Sequence, residues 1–310
     1  MTDPAYYGRP ILKPPVWKRE IGWYLFTGGL AGASATMSAI ARASGNPVLA
    51  RRTALVATAA VNVSPALLVK DLGRPERFLN MMRVVKPSSP MNLGSWVLLA
   101  SGAATTSAAA LDLAGVAPRL RTGLGVAAGL SGVPLSVYTA VLLSDTANPA
   151  WHEARHELPF LFAAGAAAGA GAAAVLVTPA EHAGPARRTM LLGTVGSQLA
   201  ETVMERRIGG VAEAYTSGAA GGYRRAARIL DGAGLALSLV PGRRLRQLGA
   251  ALVLAGAVAT RFSVFKAGFQ AAEDPRYVLD LQQSRPDGGS SQPVSQPAKR
   301  ESPEKSLQSD

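Results

Sequence analysis

"LPFLFAAGAAAGAGAAAVLV", residues 158–177, runs from the acid and histidines of 152–157 to Pro179 on apolar and small side chains alone. A helix of about 20 residues spans the roughly 30 Å hydrocarbon core of a bilayer. Ala dominates the run, so its hydrophobicity is marginal, but Gly and Ala let helix backbones approach closely where lipid supplies no hydrophobic drive. Runs of similar length recur on both sides. The chain therefore reads as an all-α, polytopic membrane protein, a bundle of about eight transmembrane helices, with spans near 21–41, 51–70, 94–114, 122–144, 157–178, 188–208, 224–241 and 246–268.

The composition supports this reading. Apolar residues make up 48% of the chain and charged residues 17%, a poor recipe for a soluble enzyme. Mean hydropathy is only +0.16 because polar ends dilute the middle. A polar flank over 1–20, with Arg9, Lys13, Lys18 and Arg19, precedes the eight-helix domain over 21–268; a membrane-proximal segment covers 269–283. The tail over 284–310, rich in Ser, Pro, Gln and charge, has too little apolar surface to fold and reads as disordered.

The net charge of +12 sits in short clusters between apolar runs rather than on one stripe, which argues against nucleic acid and for headgroups or partner proteins. Connectors opposite the chain ends are short and basic ("ARASGNPVLARR", "VAPRLRT", "PAEHAGPARR", "PGRRLR"). Those on the side of the ends are longer and of mixed sign. Total positive charge favours the second group and charge density the first, so the positive-inside rule leaves orientation open. The chain has no cysteine, and therefore no thiolate ligands for an iron–sulfur cluster; its three histidines, His152, His156 and His182, lie outside the middle of any span, so paired axial haem ligands are lacking.

Gly28 and Gly32, Gly125 and Gly129, and Gly165 and Gly169 have the small-residue spacing of packed membrane helices. Ionisable and polar groups in or beside spans carry more meaning, because lipid makes them costly. Asn62, Asp71, Tyr138, Asp145, Glu201, Glu205, Arg261 and Lys266 stand out. All but Asn62 fall toward the end of the bundle nearest the termini. Glu201 and Glu205 are one helical turn apart, suiting a proton relay or an ion pair with Arg261; the plainer reading is an interfacial salt bridge. Tyr138 suits a hydrogen bond to a quinone carbonyl or a headgroup-level anchor. "HEARH" at 152–156 matches a zinc-binding spacing. It lies in a connector between Pro149 and Pro159 with no third ligand, and reads as a solvated or partner-facing loop.

The connector "DLGRPERFLNMMRVVKPSSPMNLGSW", residues 71–96, resembles the signature after the second helix of the polysulfide reductase membrane-subunit (NrfD) family. "WYLFTGGLAGA" in the first span, "YTAVLLSDTANPAWHEARHELPFLF" between the fourth and fifth, and "RFSVFKAGFQAAEDP" in the last follow in family order. The resemblance implies an eight-helix anchor in a bacterial-type cytoplasmic membrane, binding no cofactor of its own. It further implies a ferredoxin-like iron–sulfur partner, often a molybdopterin catalytic subunit, and menaquinone or ubiquinone as substrate. On that basis Arg74, Arg77, Arg83 and Lys86 dock the soluble partner, with Pro75, Pro87 and Pro90 stiffening the loop. Tyr138 and Asp71 contact or border the quinone, Glu201, Glu205 and Asp145 move protons, and Arg261 forms a structural ion pair. A proton- or ion-translocating transporter and a purely structural anchor remain the rival readings.

Overall fold

The computed structural model describes residues 12–74 and 76–277, with the side chains of Arg77 and Leu79 excepted. Residues 1–11 of the polar flank, Pro75, the end of the membrane-proximal segment and the tail over 284–310 lie outside the described residues.

Every regular element among the described residues is helical. In chain order they are α1 (Arg19–Ala43), α2 (Pro47–Leu72), α3 (Glu76–Met81), α4 (Pro90–Ala114), α5 (Pro118–Ser144), α6 (Pro149–Glu153), α7 (Leu158–Val177), α8 (Gly184–Arg207), α9 (Glu213–Thr216), α10 (Gly218–Leu239) and α11 (Arg243–Glu273), with 3-10 turns at Ala154–His156 and Gly209–Ala212. The long helices α1, α2, α4, α5, α7, α8, α10 and α11 coincide with the eight expected spans; α3, α6 and α9 are short helices inside connectors, which raises the helix count above eight. Five helices, α2, α4, α5, α7 and α11, are long and apolar enough to cross a membrane. This is a multi-pass membrane protein. The other three long helices are diluted by polar residues: Gly, Ser and Thr in α1, and Arg with Glu or Asp in α8 and α10.

Proline sets many of the starts. It occupies the first turn of α2, α4, α5, α7 and α8, where its missing N–H costs nothing and its fixed φ is already helical. Asn46 Oδ1 accepts the Leu49 N–H at 3.1 Å and so caps α2.

The long helices pack as two groups of four, α1–α2–α4–α5 and α7–α8–α10–α11, joined mainly where α7 lies against α1 and α5, with α11 also against α1. Within the first half α1 and α5 touch backbone to backbone: a Cβ on Gly32 would come within 2.4 Å of the Gly132 carbonyl oxygen, and the reverse distance is the same. Of the glycine pairs singled out in the sequence, Gly32 and Gly129 fall in this contact, while Gly125 faces open space.

The connector between the halves is part of the core rather than a loose loop. Trp151 is buried, donates its indole N–H to the Val264 carbonyl at 2.8 Å and stacks on Trp17 with ring centroids 5.4 Å apart. Asn148 donates to the Gly268 carbonyl at 2.7 Å, and Tyr215, from the connector after α8, donates to the Ala150 carbonyl at 2.8 Å. Burial, with a smaller contribution from the nearby Glu157 charge, pushes the Tyr215 phenol well above its usual pKa. The solvated or partner-facing loop expected around HEARH holds for Arg155 and His156, which are exposed, and is corrected for residues 148–151 and Ala154, which plug the end of the bundle.

Candidate functional site

The end of the bundle nearest the chain's first described residues gathers most of the residues picked out in the sequence. Tyr138 stands six residues before the end of α5, and its hydroxyl lies 2.8 Å from that of Tyr24, in the second turn of α1. Tyr24 is 1% exposed and has no other hydrogen-bond partner among the described residues; Tyr138 is half-buried. The Tyr138 ring lies flat against α4 at Gly94, where an added Cβ would sit 1.7 Å from a ring carbon. Only glycine allows that approach.

At the same end Asp71 Oδ1 accepts the backbone N–H of Lys18 at 2.7 Å. Lys18 is the residue immediately before α1, so the carboxylate sits where the helix leaves its N–H groups unpaired. Lys70 adds an ion pair to Glu20 at 2.9 Å. Together these contacts tie the end of α2 to the start of α1 and fix the height of Tyr24.

The 81–86 stretch of the connector after α3 is folded around Asn92. Its amide donates to the Met81 and Val84 carbonyls at 2.8 and 2.9 Å, and its oxygen accepts the Lys86 N–H at 2.7 Å. Trp96 adds an indole bond to Val84 at 3.3 Å. Held this way, the loop presents Arg83 and Lys86 to solvent beside Val84 and Val85, which are also exposed; Arg74 is exposed too, and the Arg77 side chain lies outside the described residues.

Glu201 and Glu205 face α10, not Arg261. Arg224 and Arg228, again one turn apart, meet them in a four-residue cluster: Arg224 binds Glu205 through both Nε and Nη2, its Nε is 2.8 Å from Glu201, and Arg228 approaches each carboxylate at 3.3 Å. Arg224 directs its N–H groups at Glu205, so Glu201 Oε1, although close to both guanidinium groups, accepts no hydrogen bond. Three residues deeper on each helix, Gln198 donates to Asp231 at 2.8 Å, and Asp231 is buried. One polar seam thus runs down the α8–α10 contact from the Glu205–Arg224 pair to Asp231.

Arg261 does not form the ion pair expected of it. The guanidinium is 2% exposed, donates Nη2 to the Phe162 carbonyl at 2.7 Å and lies 3.8 Å over the Phe162 ring centroid, while Nη1 has no hydrogen-bond partner. The reason is register: from α11 it reaches α7 past Gly165, whereas the glutamates turn toward α10. Asp145 caps the end of α5 in solvent and stands apart from the seam.

HEARH does not form a ligand pair. Helix α6 stops at Glu153 and a 3-10 turn follows, so His152 and His156 share no continuous α-helical face. His152 Nδ1 lies 3.1 Å from the Ser144 carbonyl oxygen, His156 is exposed, and Glu157 is bound by Arg207. Among the described residues no group of three or more His, Asp and Glu is placed to hold a metal.

Four functional candidates went unmarked in the sequence. Asp231 carries the plainest signal, an acid inside an apolar span. Arg224 and Arg228 repeat the four-residue spacing of Glu201 and Glu205, and Tyr24 lies within the "WYLFTGGLAGA" stretch. Comparison with known families finds a match between residues 11–195 and the family of the polysulphide reductase NrfD. This is more than half of the chain, and it takes in Tyr24, Asp71, the Asn92 loop and Tyr138 while ending before Glu201. No curated protein matches the chain.

Proposed function

We propose that this chain, which belongs to the polysulphide reductase NrfD family, is the quinone-reactive membrane anchor of an iron–sulfur oxidoreductase in the cell membrane. In this reading it exchanges electrons between a ferredoxin-like iron–sulfur subunit, with a molybdopterin catalytic subunit beyond it, and membrane menaquinone or ubiquinone. The observation that carries the reading is the Tyr24–Tyr138 pair. Tyr24 is buried with a single partner, so its O–H is best used toward Tyr138. That leaves the Tyr138 O–H free to donate to a ligand oxygen at the half-exposed edge of the bundle, a suitable group for a quinone carbonyl.

Reduction of a quinone takes two electrons and two protons, oxidation of a quinol returns them, and a positioned phenol lowers the barrier by hydrogen-bonding the oxygen whose charge changes. The loop built on Asn92 supports the docking part of the reading: it holds the backbone at Arg83 and Lys86 at the same end as Tyr138, where an electron donor or acceptor must approach, and Arg74 is exposed there as well. In the membrane-bound complex, Tyr138→Phe is expected to slow quinone-linked turnover about tenfold, the worth of one lost hydrogen bond in the transition state, with the complex still assembled. Unchanged turnover in an assembled complex would remove the tyrosine from the mechanism.

The α8–α10 seam favours one second reading, a bundle that moves protons along Glu205, Glu201 and Asp231. In proteoliposomes, quinone-linked turnover that persists in Glu201→Gln while proton movement stops would support it; equal loss of both would favour a structural seam.

A further inference from the structure

The opposite end of the bundle, where the short connectors lie, treats its arginines in two ways. In the first half Arg42, Arg51 and Arg121 converge on one carboxylate, Asp112, at 3.9, 3.3 and 2.8 Å. In the second half Thr178, Arg187, Arg188, Arg243 and Arg246 line a pocket of about 150 Å3 between the end of α7 and the starts of α8 and α11, and no acid lines it. Glu181, in the same connector, is exposed and outside that lining. Arg187 is occupied, donating twice to the Ser238 carbonyl at 3.1 and 2.7 Å, and Arg246 donates only to the Gly242 carbonyl at 3.3 Å. Arg188 and Arg243 are exposed and make neither a hydrogen bond nor an ion pair among the described residues.

Two further features point to an anion. Helices α8 and α11 both begin at this pocket, and neither has an acidic residue in its first turn or a side-chain cap, so both present unpaired N–H groups and positive dipole ends. Thr178 is 4% exposed, and its hydroxyl has no partner. The connector is held in place, because Asn46 donates to the His182 carbonyl at 2.9 Å. Arg188 also borders an apolar cavity of about 520 Å3 lined by Met37, Ile40, Val133 and Ala167. A cluster of cations at helix ends beside an apolar groove is the arrangement that suits a phosphate headgroup with its acyl chain.

We propose that this end of the second half binds an anionic phospholipid. Its phosphate faces Arg188, Arg243, Arg246, the Thr178 hydroxyl and the two helix starts, and an acyl chain follows the cavity beyond Arg188. The lipid supplies the negative charge that Asp112 supplies in the first half.

The test uses the full chain, with any subunits that copurify, delipidated and returned to nanodiscs of phosphatidylcholine with or without phosphatidylglycerol. Phosphatidylglycerol is expected to raise the melting midpoint by several degrees and to remain bound in native mass spectra. Arg188→Gln with Arg243→Gln should weaken that retention about 30-fold while leaving the midpoint in pure phosphatidylcholine unchanged, since both side chains are exposed and neither makes a hydrogen bond or ion pair among the described residues. Arg51→Gln, in the first half, should keep phosphatidylglycerol bound. Equal stabilisation by phosphatidylcholine, or full retention in the double variant, would overturn the proposal. So would an equal rise with inorganic phosphate alone, which would identify a free-anion site.

Discussion

The two four-helix halves solve the problem of polar groups in lipid differently. In the first, the Tyr24–Tyr138 hydroxyl pair and Ser64, bonded to Thr27 at 2.9 Å, are neutral, and the ionic cluster at Asp112 is kept at the opposite end. In the second they are ionic: the Glu201–Glu205–Arg224–Arg228 cluster, Asp231 with Gln198, and the lone cation Arg261. A neutral hydroxyl keeps a donor available to a ligand without the desolvation cost of a charge. A buried charge must be paired, hydrogen-bonded or laid on an aromatic face, as Arg261 is on Phe162, and removing one partner of a pair leaves the other uncompensated. On the proposed function, the neutral pair of the first half meets the quinone, and the second half keeps its charges partnered.

The largest effect should come from the seam that closes the first half. Gly32→Val drives two methyl groups into the Gly132 carbonyl, and because the obstacle is backbone, the loss should reach roughly 3 kcal/mol. Gel filtration of the solubilised protein should show little monodisperse material. If Gly32→Val purifies normally, the first half is not closed by packing at this contact.

The ionic half breaks next. Arg224→Met leaves Glu201 and Glu205 facing Arg228 alone and should cost about 3 kcal/mol, seen as a fall in thermal midpoint in the same detergent. Combining it with Glu205→Leu should recover most of that fall, because an apolar pair replaces the ionic one. A double variant as unstable as the single one would show that the seam matters for shape rather than charge.

Smaller effects sharpen the picture of the neutral half. Tyr24→Phe removes the group that orients Tyr138 but leaves the Tyr138 hydroxyl in place, so turnover should fall about threefold, less than for Tyr138→Phe. Asp71→Ala should cost about 1 kcal/mol through loss of the contact at the start of α1, read as a shift in thermal midpoint of the purified chain. A larger drop in quinone turnover than in stability would give Asp71 a part in the chemistry.

How much of this was legible before the structure depends on the range of the interaction. Each of the eight long helices answers to an apolar run and its flanking Pro or Gly, because backbone hydrogen bonding in lipid must be satisfied within the segment itself. The connectors were less legible. Trp151 and Asn148 lie in text that looks polar and solvent-facing, and only their partners on α11, more than a hundred residues away, bury them.

Among site residues, the four-residue spacing of Glu201 and Glu205 already put them on one face, but not which helix that face would meet. Arg261 lay at a plausible depth for pairing with them, yet its rotation about α11 aims it at Phe162. Tyr138 was visible, whereas the Tyr24 hydroxyl that gives it a free donor was not, since α1 and α5 are brought together by glycines and not by any local pattern of charge. What the sequence determined by itself was the set of membrane helices, the family, and which residues are costly in lipid, because these follow from local hydropathy and motif. Which of those residues meet was decided by tertiary structure alone, because helix rotation and depth are set by close packing between segments far apart in the chain.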